Sequence, residues 1–233
     1  MTMILYELGG LSGLRYSQFA WRSHFALAHK RLEAELRPVR ISDKSVIAFS
    51  KQTKVPILVS GQVVVSDSWK IAEYLEDTYP QQPSLFGCDV GRATSRFINS
   101  WVDRQLIPVV APLLMVDVVQ RVDEEDAAHL RRQIESAFRN SLEQLAEQRD
   151  RQIVDFRRLL DPARQVLRSQ TFISGSSPAY PDYILFSLFQ WARIVSSFEL
   201  LDVSDLLCVW RDRMLDLYEG LARSEATIGS SIG

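Results

Sequence analysis

The chain holds little cysteine: only Cys88 and Cys208 in 233 residues. They lie far apart, with no Cys-x-x-Cys and no metal-ligand spacing beside either. A disulfide scaffold and a zinc module are therefore excluded, and the pair reads as reduced thiols of a cytoplasmic protein. Long apolar runs are missing too. The longest, Leu106 to Val116, is eleven residues interrupted by Pro108 and Pro112. A membrane helix needs ~18 or more, so this is a protein-buried helix segment and no membrane partner is expected. The opening MTMILYE places an acid at Glu7 and lacks the charged-then-apolar pattern of a secretory signal. Repeats are absent, and low complexity is confined to a short Gly/Ser tail. Charge of one sign is lacking as well: the formal net charge is −2, which argues against nucleic acid as a partner.

One absence divides the chain. All five lysines (Lys30, Lys44, Lys51, Lys54 and Lys70) fall in the first seventy residues, and every later cation is arginine or histidine. Residues 1–85 carry ten Lys/Arg against eight Asp/Glu, and the remainder seventeen against twenty-one. With 46% hydrophobic and 24% charged residues, the chain can bury a sizeable core in one or two domains.

The apolar patterning follows the same division. Ile4–Leu8 is a short strand run entering the Gly-rich loop Gly9–Gly13. From Ser17, a suitable N-cap, to Lys30 the period is helical. Glu35–Val39 is a weak second strand. Pro56–Val59 and Gln62–Val65 form a hairpin across Ser60-Gly61, and Ser66-Asp67-Ser68 opens a helix that Pro80 and Pro83 stop. Beyond residue 91 only helices are expected: 94–119, kinked near Pro108 and Pro112, then 124–148, 162–169, 181–197 and 204–219. Asp123-Glu124-Glu125-Asp126 are acids favourably placed at a helix N-terminus. His24 and His29, five apart, share no helix face and are expected as surface or partly buried helix residues.

This β-α-β-(short helix)-β-β-α order resembles a thioredoxin-like fold. The residues carrying the resemblance are Ser17-Gln18-Phe19-Ala20-Trp21-Arg22, Lys54-Val55-Pro56, Asp67-Ser68-Trp69-Lys70-Ile71-Ala72-Glu73-Tyr74-Leu75, and Asp182 in a later helix. In order and spacing they resemble the cytosolic glutathione transferases. Within that superfamily the N-terminal runs look most like the bacterial β-etherase branch. The resemblance implies an α/β thioredoxin-like domain over residues 1–80, a linker at 81–91 and an all-α domain over 92–233. It also implies glutathione as co-substrate with no metal, a small hydrophobic electrophile, and a cytoplasmic homodimer.

The residues suit those roles chemically. Ser68 at a helix start can receive the γ-glutamyl carboxylate, and Asp67 its ammonium. Val55, held extended by Pro56, can pair with the cysteinyl backbone like an added strand; the resemblance implies a cis Val55–Pro56 bond. Lys54, with Arg40 or Lys44, can meet the glycyl carboxylate. Ser17 then donates its hydroxyl to the sulfur. A free thiol has a pKa of ~8.5, and lowering it by two units takes roughly 2.7 kcal/mol. One hydroxyl and a helix N-terminus can supply most of that. Leu14, Tyr16, Trp101, Gln105, Pro108, Val109, Pro112 and Met115 are expected to line the electrophile's cleft between the domains.

Three positions depart from the pattern: Gln18 follows the catalytic position where many relatives have proline, Ala179 stands at the cap three before Asp182, and the 9–15 loop carries no aromatic. Ser17 as an ordinary cap, a non-catalytic binding protein, and a glutathione-dependent isomerase stay open as alternatives. Neither position of a Cys-x-x-Cys is cysteine, which argues against thiol–disulfide exchange.

Overall fold

The computed structural model describes residues 2–227, and the Gly/Ser tail beyond lies outside the described residues. Strand β1 (Met3–Leu8) runs through the loop 9–16 into helix α1 (Gln18–His29), which returns to β2 (Ala34–Val39). After a short 3-10 turn at Ser45–Ser50 come β3 (Ile57–Ser60), β4 (Val63–Ser66) and α2 (Ser68–Thr78). The sheet order is β2-β1-β3-β4, with β2 parallel to β1 and the other neighbours antiparallel. A parallel β1-α1-β2 crossover followed by a hairpin makes a small mixed sheet, in the element order read from the patterning and consistent with the thioredoxin-like resemblance. The hairpin turns one residue later than expected: Ser60 pairs with Val63, and Gly61 takes the positive φ of 61° that the two-residue connection needs.

The rest is helical: α3 (Asp89–Trp101), α4 (Ile107–Val118), α5 (Glu124–Phe138), α6 (Leu142–Leu159), α7 (Asp161–Leu167), α8 (Tyr180–Val195) and α9 (Leu206–Gly220). One expectation is corrected and another refined here. The helix expected over 124–148 is two helices, because Arg139 turns left-handed at φ 54° and Ser141 starts α6 with a capping box to Gln144. The 94–119 helix, expected to kink near Pro108 and Pro112, carries its irregularity just ahead of them. A π turn over Val102–Leu106 joins α3 to α4, and Pro108 sits in the first turn of α4. Proline lacks the N–H for an i−4 bond, and the widened turn absorbs the missing link. None of the described helices is long and apolar enough to cross a membrane.

One apolar cluster spans both parts, joining Leu5, Trp21 and Phe25 to Tyr183, Phe186 and Trp210. Phe25 of α1 stacks on Tyr183 of α8 at 5.1 Å and meets Phe186 edge-on at 5.3 Å.

Candidate functional site

The site is built where β4 passes into α2. Asp67, between them, holds φ 85° and ψ 131°, a conformation a non-glycine residue adopts only under constraint. Its carboxylate supplies part of that constraint, since Oδ1 accepts the N–H groups of Trp69 (3.0 Å) and Lys70 (3.2 Å). The Asp67 N–H donates to the Pro56 carbonyl at 3.2 Å, which draws the 55–56 loop against the start of α2. The Val55–Pro56 bond is cis. Ladder pairing of β3 begins only at Ile57, so the Val55 N–H and C=O lie outside it. Ser68 is buried, and its carbonyl accepts the Tyr180 hydroxyl at 2.8 Å.

Two cavities open at this corner. One of about 980 Å³ is lined from α2 by Asp67, Ser68, Trp69 and Lys70, and from the α3–α4 helix by Arg96, Asn99, Asp103 and Arg104. The other, about 410 Å³, lies between Ser50, Gln52, Val65, Ser66 and Asp67. Asp67 and Lys70 line both.

Ser17 caps α1: its Oγ accepts the Ala20 N–H at 3.3 Å. A hydroxyl that accepts one N–H keeps its proton to donate. Ser17 is only 6% exposed, and it is not among the residues lining the larger cavity. Its neighbour Tyr16 is more enclosed, and the buried Tyr16 hydroxyl has no hydrogen-bond partner. Burial first, and then the charges of Asp126 and Asp123, push the Tyr16 phenol well above its ordinary pKa, so it stays protonated. Gly10 lets the loop pass: a Cβ there would lie 2.6 Å from the Arg121 carbonyl and 3.2 Å from the Tyr16 ring.

The residues expected to line the electrophile cleft do not share one environment. Leu14, Trp101, Val109 and Met115 are half-buried against the main core, Tyr16 and Pro112 are buried, and Gln105 and Pro108 are exposed. Lys54 is exposed at the mouth of the 54–56 loop. Arg40 is engaged elsewhere, donating to Asp123 at 2.7 Å and to Glu125 at 3.1 Å.

Three features were not visible in the sequence. Asp126 is fully buried and accepts the N–H groups of Ile41 (2.9 Å) and Ser42 (2.7 Å). The acids at the start of α5 therefore clasp the 40–44 loop of the sheet domain as well as favouring their own helix. The buried Arg22 of α1 reaches Ser187, Asn99 and Asp103. His24 is buried rather than near the surface, because its Nε2 pairs with the Glu7 carboxylate of β1 at 2.9 Å. Helical spacing marked their faces but not these distant partners.

A family model described as Glutathione S-transferase, N-terminal domain, matches residues 11–83, and one described as Glutathione S-transferase, C-terminal domain, matches residues 93–222. The chain belongs to the glutathione S-transferase family. Among solved structures, a glutathione S-transferase of Ceriporiopsis subvermispora in complex with glutathione superposes with TM-score 0.82 at 18% identity, covering 94% of this chain and 97% of that one. The β-etherase LigF of a Sphingobium strain gives TM-score 0.71 at 20% identity, over 95% and 98%. These likenesses concern the fold. A probable glutathione S-transferase GSTU1 of Oryza sativa subsp. indica is 34% identical over 101 residues, 39% of this chain and 44% of the rice protein. The chain thus matches less than half the length of that relative.

Proposed function

We propose that the chain is a glutathione transferase in which Ser17 donates a hydrogen bond to the glutathione sulfur and so holds it as thiolate. The observation that carries this reading is the corner formed by Val55–Pro56, Asp67 and Ser68. It sets side by side a carboxylate, a helix start and, beside a cis proline, the Val55 main-chain groups that lie outside the strand ladder. That donor set fits an extended tripeptide. Val55 pairs with its backbone, the α2 N-terminus with Ser68 takes the γ-glutamyl carboxylate, and Asp67 takes the ammonium. Both capping bonds of Asp67 fall on Oδ1, which leaves Oδ2 for that role. Lys54 meets the glycyl carboxylate in preference to Arg40, whose guanidinium is already held by Asp123 and Glu125.

The second substrate is a small hydrophobic electrophile bound between the 9–16 loop and the α3–α4 helix. The thiolate forms a carbon–sulfur bond there and expels the leaving group with its electron pair, a phenoxide if the chemistry is aryl-ether cleavage. Residues 1–80 are assigned to the glutathione-binding unit and the helices from α3 onward to the second unit, with the linker ending where α3 starts at Asp89, in a cytoplasmic homodimer.

Ser17→Ala tests the reading. A charge-assisted hydrogen bond contributes about 1.5–3 kcal/mol, so kcat toward a generic aryl halide should fall at least about tenfold. The thiol pKa of bound glutathione, followed by its ultraviolet absorption, should rise by a unit or more, with glutathione still binding. Unchanged activity and thiol pKa would exclude Ser17. Failure of the wild type to bind millimolar glutathione would remove the whole reading. Glutathione that is returned rather than consumed would assign an isomerase.

A further inference from the structure

The loop entering α1 is held by a residue 210 positions further along the chain. Glu225 is 7% exposed, and its carboxylate faces Arg15, two residues before Ser17. Oε1 accepts the Arg15 main-chain N–H at 3.2 Å, and Oε2 accepts the guanidinium through Nε at 2.7 Å and through a second, shorter contact from Nη2. The Arg15 carbonyl in turn accepts the Trp21 indole N–H at 2.7 Å, while the Trp21 N–H donates to the Ser17 carbonyl at 3.0 Å. The Arg15 guanidinium lies 5.5 Å from the centre of the Trp21 ring. Both sides of the Arg15 main chain are therefore tied, one to Glu225 and one to the first turn of the helix that Ser17 caps.

Glu225 is itself held. Gln190 of α8 donates to the Ala222 carbonyl at 2.9 Å, and Arg193 donates to the carbonyls of Ala222 (3.0 Å) and Arg223 (2.9 Å). Upstream, Tyr218 and Glu219 take left-handed φ values of 53° and 59°, and Gly220 one of 75°. This run ends α9 and sends the chain back across α8 toward the loop. Left-handed tyrosine and glutamate are strained, and the bonds from Gln190, Arg193 and Arg15 hold the turn in place.

We infer that Glu225 is a positioning residue for the reaction: through Arg15 it fixes the 15–17 junction, and hence the direction in which the Ser17 hydroxyl points. The inference rests on the Ser17 reading given above. Displacing a catalytic donor by about 1 Å can cost up to ~10²-fold in rate, so a buried, charge-assisted anchor two residues away has leverage over kcat.

The test removes the pair without changing net charge, because freeing either charge alone would itself shift the thiol. Arg15→Leu/Glu225→Leu should lower kcat about tenfold and raise the pKa of the bound thiol by about a unit, leaving KM for glutathione within about twofold. The polar, equally neutral Arg15→Gln/Glu225→Gln, isosteric at position 225, should move both quantities the same way by less, and it covers the case in which the leucine pair does not fold. Arg15→Lys keeps the charge and the main-chain bond to Glu225 and should restore near-wild-type values. A purely structural anchor would lower Tm and the active fraction while leaving thiol pKa and per-site kcat unmoved; that result overturns the inference. Ser17→Ala, run alongside, separates the two claims. If it raises the thiol pKa and the neutral pairs do not, Glu225 is dismissed and Ser17 stands. If it does not, the Ser17 reading falls and takes the positioning role with it.

Discussion

A hydroxyl at a helix start has two capacities, and Ser17 uses one of them internally by accepting the Ala20 N–H. Capping uses a lone pair of the oxygen and leaves the hydroxyl proton free, so the structural duty is compatible with the donor role proposed for Ser17. Asp182 shows how much of a residue's role lies beyond its local pattern. The i, i+3 spacing to Ala179 is readable, and Asp182 does accept the Ala179 N–H at 3.2 Å. Its carboxylate also accepts Ile173 N–H (2.7 Å), Ser174 N–H (3.1 Å) and the Trp210 indole (2.9 Å). Those donors come from a loop and from α9, which no local spacing reveals. Asp182→Ala strands all four neutral donors and should cost roughly 2–4 kcal/mol in urea unfolding, since each unsatisfied buried group costs about 1–3 kcal/mol and the buried carboxylate's own desolvation offsets part of the loss. Ala179→Ser supplies the missing half of the box and should gain about 0.5–1 kcal/mol on the same scale.

At the scale of elements, the succession of strands and helices in the first eighty residues and α8 were legible because local period and turn residues agree, whereas the β2-β1-β3-β4 pairing order has no local signal. The break between α5 and α6 was not, since apolar spacing continues from Leu130 and Ile134 to Leu145 across it. The signal was present in Ser141 and Gln144, a capping box inside what reads as one amphipathic run. The clasp from α5 to the 40–44 loop gives a pH dependence. Burial pushes the Asp126 carboxyl up, but bonds from Ser42 and Ile41 and the nearby Arg40 outweigh it and hold the group below the ordinary aspartate range. A depressed folded pKa means the clasp contributes fully above the unfolded value of ~3.9 and is lost as pH falls through the folded value. Wild-type stability should therefore decline below about pH 4 more steeply than that of Asp126→Asn. The variant should be about 1–3 kcal/mol weaker at neutral pH, because two partly buried N–H groups lose their charged acceptor. Parallel pH curves for the two proteins would show that the loop is held by other contacts.

Across the whole molecule, the change in composition near residue 85 divides the sequence but not the core. The segment after α2 is pinned rather than slack. Glu76 accepts the Leu85 N–H at 2.9 Å and pairs with the buried Lys30 at 2.5 Å, while the Leu85 carbonyl accepts the Tyr180 N–H at 3.0 Å. Phe86 then packs between Trp69 of α2 and Tyr180 of α8, at 5.4 and 5.5 Å. Arg22 adds a polar rivet in the same interface, donating to Ser187 (3.2 Å), Asn99 (3.1 Å) and Asp103 (2.7 Å) from a side chain 1% exposed. A shared core of this kind predicts one cooperative unfolding transition, with far-ultraviolet dichroism and tryptophan fluorescence coinciding. Arg22→Met keeps the side chain's reach but not its donors. Asp103 is partly exposed and can rehydrate, and Ser187 still donates to the Ile184 carbonyl at 2.8 Å. The loss should therefore stay near 2–3 kcal/mol, short of the full cost of breaking a buried pair. For a chain of this length that lowers Tm by roughly 5–10 °C, with the two probes still superimposed. If the sheet domain instead melts ahead of the helices in wild type, the interface is an ordinary domain contact and the single-core account fails.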